Sequence, residues 1–244
     1  WAAARACPSV ITFARKFPSA DVYADQIRKQ GGRIVFRVRT PSYERELAIS
    51  TPGLFNVENA LAAISICLAL HIPEDAIYAG LLRARVPGRM EVYSNADDTV
   101  TAIVDYAHNR MSFETLFRSV QAEYPGRRIV TVFGCGGNRD RAKRPLMGEA
   151  VARLSDVAVL TSDNPRHESP EAILDDMVVG LEPGARYLRI ADRAEAIRTA
   201  VMLSRPGDII LVAGKGHETY QILKDGTIHL DEREVVAEAL RELK

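Results

Sequence analysis

Apolar strand-like segments alternate with helical segments over the last two thirds of the chain. Continuous runs rich in β-branched residues occur at residues 101–104, 129–133, 157–161, 187–190 and 209–213. Helical patterns lie near residues 112–123, 142–154, 170–180, 192–204 and 231–243. Strands that are apolar throughout and alternate with amphipathic helices indicate βαβ units around a mainly parallel sheet. We therefore predict an α/β fold for this part of the chain.

The first third of the chain has a different pattern. Residues 33–38 and 46–49 have the composition of strands joined by short connections. Residues 59–70 are Ala/Leu-rich and apolar nearly all round, which predicts a buried helix, and a second helix is predicted at 73–83. The turn-forming stretch Val86-Pro87-Gly88-Arg89 is predicted to separate two domains, residues 1–88 and 89–244.

Composition and charge exclude several classes of protein. The chain has 32 basic and 32 acidic residues, so a generally basic surface for nucleic acid or a polybasic membrane anchor is not expected. No apolar run is long enough to span a membrane. Cys7, Cys67 and Cys135 are widely spaced and odd in number, which argues against a disulfide scaffold or a zinc site and suits a reducing cytoplasm. We expect a cytoplasmic protein.

Polar or glycine-rich segments directly follow four of the predicted strands. They occupy residues 105–108, 134–145, 163–166 and 214–218. Open parallel sheets bind ligands at the carboxyl ends of their strands, so these segments are predicted to form one site. The glycines of 134–137 permit a close approach of backbone amides to an anion. Four following cations are expected to make this cleft locally cationic, as a carboxylate or phosphate ligand requires: Arg139, Arg141, Lys143 and Arg144.

The other segments are open to two interpretations. Asp163-Asn164-Pro165-Arg166 has the composition of an ordinary turn, but a guanidinium at a strand exit is placed to bind a carboxylate through two hydrogen bonds. Glu218 either selects an ammonium group of the ligand or only pairs with a neighbouring cation to hold its loop. His108 either stacks on a ligand or caps local backbone. No residue is predicted as a catalytic nucleophile or as a metal ligand.

Seven segments, in this order along the chain, resemble the Mur ligase family. They are residues 53–63, 86–91, 104–108, 133–140, 143–145, 163–166 and 213–218. Within the family the chain is similar to the MurE type, which adds the third residue of the peptidoglycan stem peptide. The resemblance runs from about residue 45 to the end. It implies a Rossmann-like C-terminal domain at 89–244 and the end of a central α/β ATP-binding domain at 1–88.

The resemblance also implies a reaction. The family joins an amino acid to the γ-carboxylate of D-Glu in UDP-MurNAc-L-Ala-D-Glu, with ATP and Mg²⁺. ATP phosphorylates the carboxylate, and the incoming amine attacks the acyl phosphate to form the amide. The partners implied are this nucleotide precursor and meso-diaminopimelate, with no nucleic acid and no membrane, and we expect a monomer.

The family's site residues carry over to matching positions of this chain. By resemblance, Asn56 and Asn59 lie by the adenine, Arg89 and Asp105 lie by the ribose and phosphates, and His108 belongs to the same nucleotide site. Arg139, Asp163, Asn164, Pro165 and Arg166 are implied to hold the amino acid's carboxylates. Gly214 and Glu218 are implied to hold its far amino group. An Arg at the fourth position of 163–166 goes with meso-diaminopimelate, since lysine has no second carboxylate to pair with it.

Some features of the family are absent from these 244 residues. The P-loop Gly-Thr-Asn-Gly-Lys-Thr, the carbamylated lysine, the acidic magnesium ligands and the UDP-binding domain are missing, and His108-Asn109-Arg110-Met111 departs from the commoner His-Thr-Pro or His-Asn-Pro. The start at Trp1 favours a piece of a longer protein, inactive as a ligase by itself. The alternatives are a Mur-type ligase adding lysine or glutamate, and a noncatalytic module that binds an amino acid or muropeptide. The upstream reading frame distinguishes the module from a ligase.

Overall fold

The computed structural model describes residues 9–30 and 33–243. The chain divides into two compact units, one ending at Val86 and the other beginning at Pro87. Within the described residues, no helix is long and apolar enough to cross a membrane.

In its described residues, the first unit contains a four-stranded sheet and two helices. Its strands are β1 (Phe13–Ala14), β2 (Val22–Gln30), β3 (Arg33–Arg39) and β4 (Glu44–Ile49), in that spatial order. Its helices are α1 (Phe55–Ala69) and α2 (Glu74–Arg83). Only β1 and β2 pair in parallel. The strands predicted at 33–38 and 46–49 and both predicted helices are confirmed, with ends shifted by a few residues.

Helix α1 is not buried all round, as its composition predicted. Val57, Leu61 and Ile64 are fully buried in one core with the sheet, whereas Ile66 is 61% exposed and Leu70, just after the helix, is 66% exposed. The reason is geometric, because the core holds only one face of the helix. An Ala/Leu-rich composition reports how apolar a helix is, but it does not report how many of its faces find a partner.

The second unit is built on a six-stranded sheet. Its strands are β5 (Glu91–Ser94), β6 (Thr101–Asp105), β7 (Ile129–Cys135), β8 (Val157–Ser162), β9 (Tyr187–Arg189) and β10 (Ile209–Ala213). The spatial order is β5-β6-β10-β7-β8-β9, and every pair except β5–β6 is parallel. The predicted α/β fold with a mainly parallel sheet is therefore confirmed. The central strands β6, β10, β7 and β8 are buried at nearly every position because both faces of the sheet are covered.

Five helices and a hairpin complete this unit. They are α3 (Arg110–Glu123), α4 (Lys143–Leu154), α5 (Pro170–Val178), α6 (Arg193–Met202), α7 (Glu232–Glu242), and the antiparallel pair β11 (Tyr220–Leu223) and β12 (Gly226–His229). Asp192 caps α6 by accepting a hydrogen bond from the Glu195 amide, as its spacing predicts. Ser169 stands before Pro170 as predicted, but its side chain makes no capping hydrogen bond.

The strand order brings the four polar segments to one edge of the sheet. Strands β6, β10, β7 and β8 are consecutive neighbours. Ala213, the last residue of β10, is in register with Asp105 at the end of β6 and with Phe133 near the end of β7. The segments that follow these strands therefore leave the sheet side by side.

Candidate functional site

A cavity of about 520 Å³ lies where the four segments meet. Most residues predicted for the amino-acid site line it: Arg139, Asp163, Asn164, Arg166, Gly214 and Glu218. His108 lines it as well. Pro165, Arg89 and Asp105 are not among its lining residues, and Asn56 and Asn59 belong to the first unit. The geometry thus brings together residues that are up to 110 positions apart, from His108 to Glu218.

The glycine loop after β7 packs directly against the loop after β8. The Gly137 amide donates to the Asn164 carbonyl at 2.9 Å. A Cβ atom on Gly137 would lie 1.8 Å from the Pro165 carbonyl oxygen, so only glycine fits at this point. Pro165 therefore contributes to the cavity through the shape of its loop.

Arg166 has a strained backbone and a partly engaged guanidinium. Its φ of 55° lies in the left-handed region, which costs on the order of 1–3 kcal/mol for a residue other than glycine. Its Nη1 donates to the Gly137 carbonyl at 2.8 Å and to the Asn164 carbonyl at 3.3 Å. The opposite edge of the guanidinium, Nε and Nη2, donates to no described residue. That edge can bind a carboxylate through two parallel hydrogen bonds.

Two of the four cations expected to face the ligand are neutralised by the protein itself. Arg144 is fully buried and pairs with Glu168 and Asp176, each at 2.8 Å. Arg141 pairs with the same Asp176 at 3.1 Å. Among the residues that the structure describes, Arg139 and Lys143 form no ion pair. The expectation that all four make the cleft cationic was therefore wrong for Arg141 and Arg144, because neutralising acids come from α5 and the residues before it.

Glu168 stabilises both loops at once. It accepts hydrogen bonds from the Arg144 guanidinium and from the Asn138 amide, and together with Arg141 these contacts lower the pKa of Glu168 to about 2. Its ionised form therefore stabilises the folded protein above its ordinary pKa of 4.5, and this contribution is lost as pH falls towards about 2. The free energy of unfolding of the wild type should therefore fall as the pH is lowered through this window, and we expect a smaller fall in Glu168→Gln. Chemical denaturation at a series of pH values measures both curves.

The matched control for Glu168 is Glu171→Gln. Glu171 pairs with Arg189 on the surface and its side chain is 59% exposed, so Glu171→Gln should change the free energy of unfolding by less than about 1 kcal/mol. Asp176, whose pKa is also lowered by Arg141 and Arg144, titrates in all three proteins. Parallel curves for wild type and Glu168→Gln would contradict the assignment of Glu168 as the titrating group.

Glu218 lies in a compact polar cluster with Asn164 and Lys215. Its Oε2 accepts from Lys215 Nζ at 2.8 Å and from Asn164 Nδ2 at 3.0 Å. Burial acts to raise the pKa of Glu218, but the hydrogen bonds from Lys215 and Asn164 outweigh burial, so the net pKa is lowered. Lys215 itself is fully buried. It is thus paired with Glu218 and Asn164 and does not line the cavity.

Asp163, which follows β8, and Gly214, which follows β10, lie close together. Asp163 Oδ1 accepts from the Asn164 amide at 2.6 Å. Gly214 has a φ of 124°, and a Cβ atom there would lie 3.2 Å from Asp163 Oδ2. A side chain at Gly214 would therefore strain the backbone and crowd the carboxylate.

An aromatic and cationic cluster surrounds Tyr106, which the sequence did not single out. The Tyr106 ring centre lies 5.0 Å from the Arg89 guanidinium, 4.8 Å from the His108 ring and 5.0 Å from the His217 ring. His108 Nδ1 also contacts the Tyr106 carbonyl at 2.9 Å. Both readings of His108 are thus compatible with its position, since it caps backbone and still lines the cavity.

The remaining predicted nucleotide residues are engaged in local structure. Asp105 is buried and accepts from the Met90 and Ala107 amides, each at 2.8 Å. Burial raises the pKa of Asp105, while these two hydrogen bonds oppose the shift. In the first unit, Asn56 donates to the Pro52 carbonyl and accepts from Asn59 Nδ2 at 2.9 Å. The nucleotide roles of these residues stay predictions.

The unusual sequence after His108 still starts a helix in the normal way. Asn109 accepts from the Ser112 amide at 3.0 Å, and Ser112 Oγ in return accepts from the Asn109 amide at 3.2 Å. Arg110 takes the first helical position, which proline often occupies. The sequence here departs from the family's His-Thr-Pro or His-Asn-Pro pattern, but the reciprocal cap still supports the direction of α3.

A buried ion pair under the site was also missed by the sequence reasoning. Arg193 and Glu232 are both 0% exposed and lie 2.5 Å apart. Arg193 also donates to the Ser162 and Ala213 carbonyls at 2.9 Å, while Glu232 accepts from the Gly216 amide at 3.2 Å. The pair thus ties the ends of β8 and β10 to the loop that carries Glu218. No sequence signal links two residues 39 positions apart.

The described part of the chain contains neither a cluster of metal-binding side chains nor a disulfide. Across residues 9–30 and 33–243, no group of three or more His, Cys, Asp or Glu side chains could hold a metal ion. Cys67 and Cys135 are free thiols, and Cys7 lies outside the described residues. Burial raises the pKa of the Cys135 thiol to about 12, so it is not an activated nucleophile.

The fold and cavity define a class of protein. An open parallel sheet with a polar cavity at the carboxyl ends of its central strands is a ligand-binding domain of the Rossmann-like α/β class. The chain belongs to the Mur ligase family, because residues 88–216 match the family described as "Mur ligase, glutamate ligase domain".

Its relatives include several proteins with one name. The UDP-N-acetylmuramoyl-L-alanyl-D-glutamate--2,6-diaminopimelate ligase of Geobacillus thermodenitrificans is 45% identical over 96% of this chain and 47% of its own length. The protein of that name from Thermosynechococcus vestitus is 43% identical over 91% of this chain and 45% of its own length. The chain therefore spans about half the length of the curated relatives it matches.

Solved structures give the same result for the fold. A structure of a UDP-N-acetylmuramoyl-L-alanyl-D-glutamate--2,6-diaminopimelate ligase matches with a TM-score of 0.62 at 32% identity, over 98% of this chain and 50% of that one. A folylpolyglutamate synthase from Thermotoga maritima matches with a TM-score of 0.59 at 23% identity, over 80% of this chain and 44% of that one. The second match shows a shared fold alone.

Proposed function

We propose that this chain is part of an ATP-dependent ligase that joins meso-diaminopimelate to the D-Glu γ-carboxylate of UDP-MurNAc-L-Ala-D-Glu, a step of peptidoglycan precursor synthesis. The names of its relatives support the substrates. One observation in the structure carries the proposal: Arg139, Arg166 and Glu218 line the same cavity. Two cations and one carboxylate complement an amino acid whose far end bears both a carboxylate and an ammonium group.

Arg166 is the residue that favours diaminopimelate over lysine or glutamate. Its Nε and Nη2 donate to no described residue, so a second carboxylate of the ligand would satisfy both. With lysine in the cavity, this half-buried guanidinium edge would lose its partner, which is unfavourable. With glutamate, Glu218 would have no ammonium to bind at the far end. Each alternative thus leaves one of these two side chains without a partner on the ligand.

The nucleotide is proposed to bind near Tyr106. Arg89 lies over the Tyr106 ring with no ion-pair partner in the described part of the chain, so its guanidinium is free to meet a phosphate or ribose oxygen. The adjoining His108 and His217 rings offer flat surfaces to a base or sugar. Bound ATP would supply the phosphoryl group that activates the acceptor carboxylate. The cations of this chain would orient the charged partners, which is the main requirement of phosphoryl transfer.

The described residues contain no group of three or more His, Cys, Asp or Glu side chains that could hold Mg²⁺. No step is therefore assigned to a metal held by this chain.

We propose that residues 1–88 are the end of a central ATP-binding domain, and that residues 89–244 are the domain that holds the amino acid. Asn56 and Asn59 would then meet the adenine, with Asn59 Nδ2 already oriented by Asn56 Oδ1. As a member of an ATP-dependent ligase family, the protein is proposed to act in the cytoplasm as a monomer.

The proposal is tested by comparing the 244-residue chain with the protein encoded by its full upstream reading frame. The longer protein should release ADP and form the amide only when UDP-MurNAc-L-Ala-D-Glu and meso-diaminopimelate are both present. The 244-residue chain alone should form no amide, because its sequence lacks the P-loop that handles the γ-phosphate. Calorimetry measures whether each protein binds diaminopimelate more tightly than lysine or glutamate.

The possible results separate the candidate functions. Amide formation with lysine or glutamate in preference to diaminopimelate would replace the substrate. Binding of an amino acid without ADP release by the longer protein would favour a noncatalytic module. Amide formation by the 244-residue chain would show that the missing P-loop is not needed.

A further inference from the structure

Lys215 is a buried cation whose contacts all lie within the protein. Its side chain is 0% exposed, and its Nζ donates to Glu218 Oε2 at 2.8 Å and to Asn164 Oδ1 at 3.2 Å. The ammonium also lies 5.4 Å from the centre of the Tyr220 ring, on the hairpin that follows. An ammonium has three donors and no acceptor, and these two hydrogen bonds use two of the donors. Because Lys215 is fully buried and does not line the cavity, its ammonium is not exposed to a ligand there.

The contacts of Asn164 fix the orientation of its amide. Lys215 Nζ and the Ile222 amide are both donors, and both approach the same atom of Asn164, which must therefore be Oδ1. Asn164 Nδ2 then faces Glu218 Oε2, to which it donates at 3.0 Å. Two donors thus occupy Oε2 of Glu218. Its other oxygen, Oε1, accepts no hydrogen bond from any residue in the described ranges.

We propose that Lys215 is a positioning residue that directs Glu218 Oε1 towards the amino acid and thereby sets the preference for a substrate with a second ammonium group. The inference rests on the proposed function, which supplies the amino acid. Without Lys215, Glu218 would have two competing oxygens and freedom to rotate, and Asn164 would lose one of the two donors that orient it. The contact with the substrate ammonium would lose its fixed geometry, although Glu218 itself would still be present.

The charge on Glu218 depends on the same contact. The groups that face Glu218 are Lys215 and His217 on its own loop and Asn164 from the loop after β8. Arg166 and Asp163 line the same cavity. Burial opposes ionisation of Glu218, and Lys215 is the nearest group that offsets it. Removing Lys215 should therefore raise the pKa of Glu218 and favour a neutral carboxyl that binds an ammonium poorly.

The test compares two ligands that differ only at the far amino group. These are meso-diaminopimelate and 2-aminopimelate, which keeps the far carboxylate and lacks the amine. In the protein from the full reading frame, Lys215→Met should raise KM for diaminopimelate on the order of tenfold, the effect of one charged hydrogen bond. KM for 2-aminopimelate and for ATP should change by less than about twofold. Glu218→Ala gives the limit for complete loss of the contact.

Lys224→Met is the matched control, since Lys224 is an exposed lysine in the turn of the same hairpin. If Lys215→Met weakens both amino acids equally, Lys215 only supports the loop and the proposal is overturned. If Lys215→Met folds poorly, Lys215→Gln takes its place. It keeps a donor without the charge, so its ratio of the KM for diaminopimelate to the KM for 2-aminopimelate should lie between those of wild type and Glu218→Ala.

A wild-type protein that does not bind diaminopimelate would defeat the proposed function, and a second measurement still decides the role of Lys215. Carbon NMR of the Glu218 carboxyl reports its titration without any ligand. The titration midpoint should move upward in Lys215→Met and stay at its wild-type value in Lys224→Met. An unchanged midpoint in Lys215→Met would show that Lys215 does not control Glu218.

Discussion

Glu232→Gln is expected to lower the free energy of unfolding by about 3–5 kcal/mol, because it leaves the Arg193 charge buried without its partner. Both side chains are 0% exposed, and Glu232 also accepts the Gly216 amide. Burial raises the pKa of Glu232, and the attraction of Arg193 opposes this shift. Urea denaturation of wild type and variant at neutral pH measures the difference.

Two further variants define the origin of the loss. Glu238→Gln, on the same helix α7, removes an exposed ion pair with Arg198 at 3.4 Å and should cost less than about 1 kcal/mol. Arg193→Met combined with Glu232→Leu removes both charges and should be less destabilised than Glu232→Gln, since no charge is left unpaired. A loss below about 1 kcal/mol in Glu232→Gln would show that the pair is not coupled to the stability of the fold.

The main sheet was predictable because its central strands are buried on both faces. A run such as Ile209–Ala213 is apolar at every position, and that pattern is typical of a parallel strand covered by helices. The hairpin Tyr220–His229 was not predicted, because its second strand is exposed at all four positions and has no apolar alternation. The short edge strand Glu91–Ser94 was not predicted either, since none of its side chains is buried and it has no clear apolar alternation.

The location of the candidate site was predictable, whereas its internal pairing was not. Parallel strands place the segments after them on one edge, so the common position of Arg166 and Glu218 follows from the sequence pattern alone. The state of each charge depends on partners far along the chain. Arg144 meets Glu168 over 24 positions and Lys215 meets Asn164 over 51. Local composition records the charges of these residues but not their partners.

Arg166→Ala is expected to weaken the binding of meso-diaminopimelate by about 2–3 kcal/mol, or roughly 30- to 150-fold in Kd. The free edge of the guanidinium, Nε and Nη2, is the group proposed to bind the second carboxylate. Lysine carries no such carboxylate, so its affinity should change much less. Calorimetry with both amino acids on the protein from the full reading frame measures the two effects side by side.

The design must separate this contact from the support that Arg166 gives to its own loop. Its Nη1 holds the Gly137 and Asn164 carbonyls, and its φ of 55° disfavours most side chains. Arg166→Asn removes the guanidinium but suits a left-handed backbone better than alanine does. Arg186→Ala, an exposed arginine before β9, is the matched control. Both Arg166 variants should lose affinity for diaminopimelate selectively, because the loss comes from the missing contact with the ligand's second carboxylate. If the affinity for lysine falls equally, Arg166 only holds the loop.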